Sequence, residues 1–208
     1  MTFPWDVFVS ALVTLLVVID PPGAAPIFAS LTTRSSAQMR KSMAYRSVAI
    51  ATGILVTFAA VGEPFLRALG ISLDAFRVAG GIMLFLIALD MVFETRVKRR
   101  EERAKAVNDE ETEDVAVFPM AMPMIAGPGS IAAVMLLTSK AEGPAEQLAV
   151  YLALATVLLL TLLALLAAGP LMRRVGAKVE AMITRLLGVI LAALAAQIVI
   201  DGLAGAFA

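Results

Sequence analysis

The sequence predicts an all-α polytopic membrane protein with six transmembrane helices, arranged as two inverted three-helix repeats, with spans one and four interrupted. Three observations carry that expectation. Of the 208 residues, 60% are hydrophobic and only 16% charged, well below the roughly 25% charged of an ordinary soluble domain. Apolar runs of membrane-crossing length recur along the chain, and two of them contain prolines near their middle. The first half of the chain is also echoed in the second. At about 20 residues per span, six crossings leave room for loops, whereas eight would leave almost none.

Residues 147–172 are 26 consecutive positions without a charge, and residues 115–139 are 25. Each run can cross a bilayer as a helix. Further apolar runs place the other spans at 7–31, 47–61, 76–93 and 183–203. The leading MTFPWD has no Lys or Arg ahead of the first run, so it lacks the basic region of a cleavable signal and is expected to be retained. Spans three and four are separated by a linker, 94–118, with six Lys/Arg and eight Asp/Glu. Such a mixed charge run is expected to be a solvated cytoplasmic connector. It divides the chain into a first three-span repeat, 1–93, and a second, inverted one, 119–208.

Orientation follows from the basic residues, because cytoplasmic loops retain Lys and Arg. The loop after span one, the linker and the loop after span five together hold thirteen of them, including Arg34, Arg40, Lys41, Arg46, Arg173, Arg174 and Lys178. The alternate loops hold only Arg67, Arg77 and Lys140. Both termini are therefore expected on the periplasmic or extracellular side.

The repeat is visible as matches 106 residues apart: Pro22-Gly23 with Pro128-Gly129, Leu31-Thr32 with Leu137-Thr138, Pro64 with Pro170, Arg67 with Arg173, Gly70 with Gly176, and Asp74 with Glu180. Farther on the register slips by two, pairing Arg77 with Arg185 and Gly80 with Gly188. Three spans are an odd number of crossings, so the second copy must enter the membrane from the opposite side. Inverted halves of this kind recur in secondary transporters, although duplication alone would also yield a stable six-helix bundle.

The chemistry is expected at the interruptions. In span one, Asp20-Pro21-Pro22-Gly23 falls about halfway. Adjacent prolines remove two donors and push the residue before each of them out of helical geometry, so the helix must break. Asp20 is then placed as N-cap and Pro21 at the favoured first position of a second half-helix. Span four repeats the device, with Gly127 at the cap, Pro128 at the first position, and Pro119 and Pro123 weakening the preceding turn. Unsatisfied backbone is tolerated at membrane depth only inside protein or against a polar cavity, so two matched breaks predict one shared site. The second half-helices would offer N–H groups around Gly23, Ala24 and Ala25, and around Gly129, Ser130 and Ile131, to a carboxylate, with Pro22 and Gly127 beside them in the same substrate site. The first halves would offer carbonyls near Val18-Ile19 and Ile125-Ala126 to a cation.

Asp20 is the acid nearest the centre of a span, and intramembrane acids are costly and generally functional. Two roles are open to it: capping the following half-helix through the N–H of Gly23, or binding a substrate amine, a proton or Na⁺. Thr52, Thr57 and Gln197 are secondary candidates for lining the cavity. Asp90 and Asp201 lie near span ends and are expected at the interface, and Gly80, Gly81, Gly188, Ala192 and Ala196 suit small-residue packing seams.

Several classes are excluded. Lys plus Arg equal Asp plus Glu at 17 each, so there is no basic field to recruit nucleic acid. The chain has no Cys and no His, which removes disulfides, thiol catalysis, imidazole relays and the usual zinc or haem ligand sets. Ser130 has no base partner in the sequence, so no enzyme and no cofactor are expected. Aromatic residues are only 6%, which offers little support for a wide drug-efflux pocket.

DPPGAAPIF at 20–28 and PMAMPMIAGPGSI at 119–131, with the six-span layout, closely resemble the MarC family of bacterial inner-membrane proteins, also described as small neutral amino acid transporters of the LysE-type superfamily. The residues that match those motifs are Asp20, Pro22, Gly23, Pro26, Pro123, Gly127, Pro128 and Gly129. The resemblance implies a secondary-type carrier for glycine, alanine or similar amino acids, acting by export or exchange, with substrate held where spans one and four unwind. The alternatives left by the residues themselves are an ion channel or exchanger on the same bundle, and a membrane scaffold whose linker recruits a partner. Substrate identity within the class, transport direction, coupling ion and oligomeric state are not legible in the sequence.

Overall fold

The computed structural model describes residues 3–33, 35–93 and 115–207; within the last helix it describes the backbone, but not the side chains, of 169–181 and 183. All but the last four residues of the charged linker therefore lie outside the described residues. Eight helical elements follow in order: α1 (Trp5–Ile19), α2 (Pro21–Leu31), α3 (Ala37–Ala68), α4 (Leu73–Val92), α5 (Ala116–Ile125), α6 (Pro128–Lys140), α7 (Pro144–Leu166) and α8 (Ala168–Phe207). Five segments are long and apolar enough to cross a membrane, with α1 and α2 counted together; the pair α5 and α6, bent by 51°, makes six.

Helix ends depart from the apolar runs for identifiable reasons. α3 has 32 residues, about 48 Å of helix against about 30 Å of hydrocarbon. Its first turns carry Arg40, Lys41 and Arg46, and Ser36 caps it by accepting from the N–H of Met39 at 3.2 Å. An α-helix satisfies its own backbone in water as in lipid, so the fall in apolarity before position 47 marks the edge of the bilayer, not the end of the helix. At the other end Leu69 closes the helix and Gly70 takes the left-handed conformation, φ 72°, that turns the chain toward α4.

The run 147–172 does not form one helix. α7 stops at Leu166, Ala167 closes it by donating to the Leu163 carbonyl, and α8 starts at Ala168. Pro170 falls in the first turn of α8, where a missing N–H leaves no intrahelical bond unmade. The stretch with Arg173, Arg174 and Lys178, expected as a loop, is backbone helix belonging to the 40-residue α8. The last three residues assigned to the linker, 116–118, likewise lie in α5.

The interrupted elements are the most enclosed. More than half of the apolar stretch of Trp5–Leu31 is buried, against less than a third for α3, α4 and the Thr184–Phe207 part of α8. Leu15, Val17, Val18 and Ile19 of α1 and Ala24, Ala25 and Phe28 of α2 join Met120 and Ile125 of α5, Leu154 and Val157 of α7 and Leu191 of α8 in one core. Outward faces carry Leu152, Leu159 and Leu163 of α7 and Ile82 and Leu86 of α4, all exposed, as hydrocarbon contact requires.

Contacts between elements recur in pairs. α1 and α2 pack on α7 as α5 and α6 pack on α3, and α2 meets α8 as α6 meets α4. The seam between α4 and α8 shows the same exchange atom by atom. A Cβ added at Gly81 would lie 2.7 Å from Val199 Cγ2 and 3.0 Å from the Ala195 carbonyl oxygen; one added at Gly188 would lie 3.1 Å from Val92 Cγ2 and 3.2 Å from the Ala88 carbonyl oxygen. Gly188, Ala195 and Val199 follow Gly81, Ala88 and Val92 by 107 positions. One contact is thus made twice with the helices exchanged, as in an isologous interface. Gly202 meets Asp74 and Arg77 at the far end, so α4 and α8 run antiparallel.

The expected packing residues need adjustment here. Ala195, fully buried, occupies the seam and Ala196 is exposed, while Gly80 faces Leu136 of α6 instead of α8. Gly202 belongs to the seam and was not foreseen. Substituting Gly81 by Val should overpack the seam at a cost of about 1–3 kcal/mol and lower the melting temperature in detergent. Gly53→Ala, where an added Cβ meets nothing within 4 Å, should melt at or slightly above the wild type. Equal melting of Gly81→Val and wild type would show that the seam is not close-packed.

Candidate functional site

Asp20 stands between α1 and α2 with φ 57° and ψ 65°, the one non-glycine residue of left-handed conformation among the described residues. That region is unfavourable for most side chains, but Asp tolerates it because its short carboxylate can bond locally. Its own N–H donates to the Leu16 carbonyl at 3.0 Å, its carbonyl accepts from Ala24 at 3.0 Å, and its Oδ1 accepts from the N–H of Gly23 at 3.1 Å. Asp20 therefore closes one helix and caps the next, as expected from Pro21 and Pro22. Gly23 is required by the same geometry, since a Cβ there would strike the Asp20 carboxylate.

The break redistributes backbone polarity. In an unbroken helix the carbonyls of Val17 and Val18 would accept from residues 21 and 22, which are prolines, and that of Ile19 from Gly23, which donates to Asp20 instead. Three successive carbonyls at the end of α1 thus lose their intrahelical donors. The N-terminus of α2 is, by contrast, already served. The N–H groups of Gly23 and Ala24, expected to face a ligand, are taken by Asp20.

The second break is built differently. Phe118 and Met122, each preceding a proline, are extended at φ −129°, ψ 128° and φ −132°, ψ 126°, as steric conflict with the proline ring demands. α5 is consequently irregular, held by long-step bonds from Met120 to Val115 at 3.3 Å and from Ala126 to Ala121 at 2.9 Å. α6 starts at Pro128 after Gly127, which provides no side-chain cap. Ile131 donates to the Gly127 carbonyl at 3.0 Å, while the N–H groups of Gly129 and Ser130, in the first turn, have no intrahelical acceptor. The structural register of the breaks is 107: Pro128 corresponds to Pro21, not to Pro22.

The two breaks meet. A Cβ built on Gly129 would lie 3.5 Å from Val18 Cγ1 at the end of α1 and would strike Ile87 Cδ1 of α4. Around this point Asp20 is 2% and Ser130 3% exposed. Pro21, Gly23, Ala24, Ala25, Ala126, Gly127 and Gly129 are buried, Pro22 and Pro123 half-buried, and Pro128 exposed. Neither Ile87, an apolar residue in an apolar helix, nor its approach to Gly129 is signalled in the sequence.

The secondary candidates lie elsewhere. Thr52 and Thr57 bond back to the Val48 and Gly53 carbonyls of their own helix at 2.7 Å. Gln197 is exposed and donates to Asp201 at 2.7 Å, and Asp201 also receives the Lys140 ammonium at 2.7 Å. These side chains serve helix surfaces, not the breaks.

The chain was compared with known proteins. The pattern of the MarC family, described as integral membrane proteins, matches residues 5–207. A UPF0056 membrane protein of Methanocaldococcus jannaschii is 39% identical over 202 residues, covering 96% of this chain and 97% of its own. One from Archaeoglobus fulgidus is 34% identical over 197 residues, covering 95% and 92%, and YvbG of Bacillus subtilis is 33% identical over 205, covering 96% and 95%. No solved structure matches. With the apolar spans and buried breaks already described, these similarities show that the chain belongs to the MarC family of integral, multi-pass membrane proteins.

Proposed function

We propose that this protein is a secondary-type carrier of small neutral amino acids, glycine or alanine in size, which exports or exchanges them across the bacterial inner membrane by alternating access. The observation that carries the reading is the approach of Gly129 to Val18, which brings the start of α6 beside the end of α1 in the buried interior. A zwitterion matches the polarity available there. The uncapped N-terminus of α6, with the N–H groups of Gly129 and Ser130, suits its carboxylate. Asp20 and the carbonyl end of α1 suit its ammonium, or a coupling proton or Na⁺. The small side chains of Ala24, Ala25 and Ala126 favour a small substrate.

Alternating access needs two related halves. The exchange symmetry of the α4–α8 seam and the paired contacts of α1–α3 with α5–α7 support inverted repeats of three spans, each beginning with an interrupted one. In this reading both termini face outward, spans α1–α2 and α5–α6 hold the substrate, and the halves rock against each other. No enzymatic step is involved.

Purified protein in liposomes should take up labelled glycine or alanine, with competition by small and not by bulky amino acids. Flux equal to that of empty vesicles would remove the proposal, and currents at channel rates without amino acid dependence would favour an ion channel. Asp20→Asn retains the capping oxygen and the tolerance for left-handed geometry, so it should fold and melt close to wild type while transport falls at least tenfold or loses its pH or Na⁺ dependence. Unchanged transport in that variant would confine Asp20 to capping.

Gly129→Ala tests the gap itself. Its methyl group would strike Ile87 and fill the space beside Val18, so transport should be lost, and trimming the neighbour in Gly129→Ala/Ile87→Ala should restore part of it. A fully active Gly129→Ala would exclude this gap as the substrate path.

A further inference from the structure

α6 carries the proposed substrate end at Gly127–Ser130 and, being 13 residues long, ends at Lys140, about 18 Å away along the helix. The Lys140 ammonium lies 2.7 Å from Asp201 Oδ2, and the other Asp201 oxygen accepts from Gln197 at 2.7 Å. Unlike Arg67 with Glu63 and Arg77 with Asp74, which pair within one helix, this pair joins positions 61 residues apart in two helices. Among the described residues α6 packs on α3, α4, α1 and α7, with no packed seam against α8. The ion pair is thus a point attachment where side-chain packing does not already hold the helices together.

We propose that Lys140 and Asp201 form a breakable latch that fixes the far end of α6 to α8 and holds one face of the bundle closed. Gln197 fixes the carboxylate in place to receive the ammonium. The α4–α8 seam forms the static side, because its glycines lie in backbone contact along most of its length, and α6 forms the moving side. Both partners are more than a third exposed, a setting in which ion pairs shift an equilibrium by at most about fivefold. That weakness suits a latch, which must release as readily as it closes. Its role as a gate rests on the carrier reading, whereas its existence as a latch does not.

The chain has no cysteine, so spin labels can be placed on Glu142→Cys and Ala204→Cys, both exposed positions, in nanodiscs. Pulsed dipolar distance measurements should show a short-distance population that dominates in the parent protein. Lys140→Gln and Asp201→Asn should each raise the ratio of long to short distances about three- to fivefold, and the swapped pair Lys140→Asp/Asp201→Lys should bring it back. One identical distribution in all four proteins would overturn the latch. A Lys140→Cys/Asp201→Cys protein, oxidised and reduced, then tests gating: flux blocked by oxidation and recovered on reduction is expected, and equal flux in both forms overturns the gate. If amino acid flux is missing in every form, the carrier reading fails while the distances still decide the latch.

Discussion

Backbone hydrogen bonding is the constraint from which the architecture follows. Lipid offers no partners to an N–H or C=O group, and each one left unpaired costs several kcal/mol. Pro21 and Pro22 remove helical donors within α1–α2, and Pro119, Pro123 and Pro128 do so within α5–α6. A chain with these prolines in two apolar spans can remain in the membrane only by wrapping them in its other helices. That accounts for the contrast between the enclosed Trp5–Leu31 segment and the largely exposed α3, α4 and outer α8.

The two breaks solve the problem by different chemistry. At the first, a carboxylate substitutes for the missing helical geometry, with Asp20 serving both helices at once. At the second, small residues and extended pre-proline geometry let the backbone pass without any side-chain cap. The result is unequal: one side carries a formal acid that caps its second half-helix, the other a half-helix that starts without a side-chain cap. Two symmetric breaks would carry the same cap twice, whereas these differ at the cap residue itself. The departure from repeat symmetry at Asp20 and Gly127 is therefore as informative as the symmetry of the α4–α8 seam.

Legibility in the sequence followed how local the physics was. Asp20 as a cap and Pro21 and Pro128 at first helical positions could be read because a proline acts on its immediate neighbours. The lengths of α3 and α8 could not, because apolarity reports the bilayer thickness and says nothing of how far a helix extends into water. The end of α7 at Leu166 was hidden inside a continuous apolar run, where helix and turn have the same composition. Sequence identity aligned Pro22 with Pro128 at an offset of 106, yet the helix starts and the glycine contacts obey 107, since what must match across the halves is the position in the helix and not the letter. Ile87 against Gly129 was beyond reach altogether, being a tertiary contact between apolar residues.

The seam also bears on how such a bundle can move. Gly81 and Gly188 each bring a backbone into contact with the carbonyl side of the opposite helix, and substitutions there are resisted from both sides. The same contact made twice with the helices exchanged fixes α4 and α8 against each other at both ends of the seam. The interrupted elements, by contrast, rest on α3 and α7, and at the first of them Asp20 ties both half-helices together across the break. Close backbone approach at the antiparallel glycine seam and interruption at the proline breaks are complementary consequences of where the sequence places its smallest residues and its residues without an N–H.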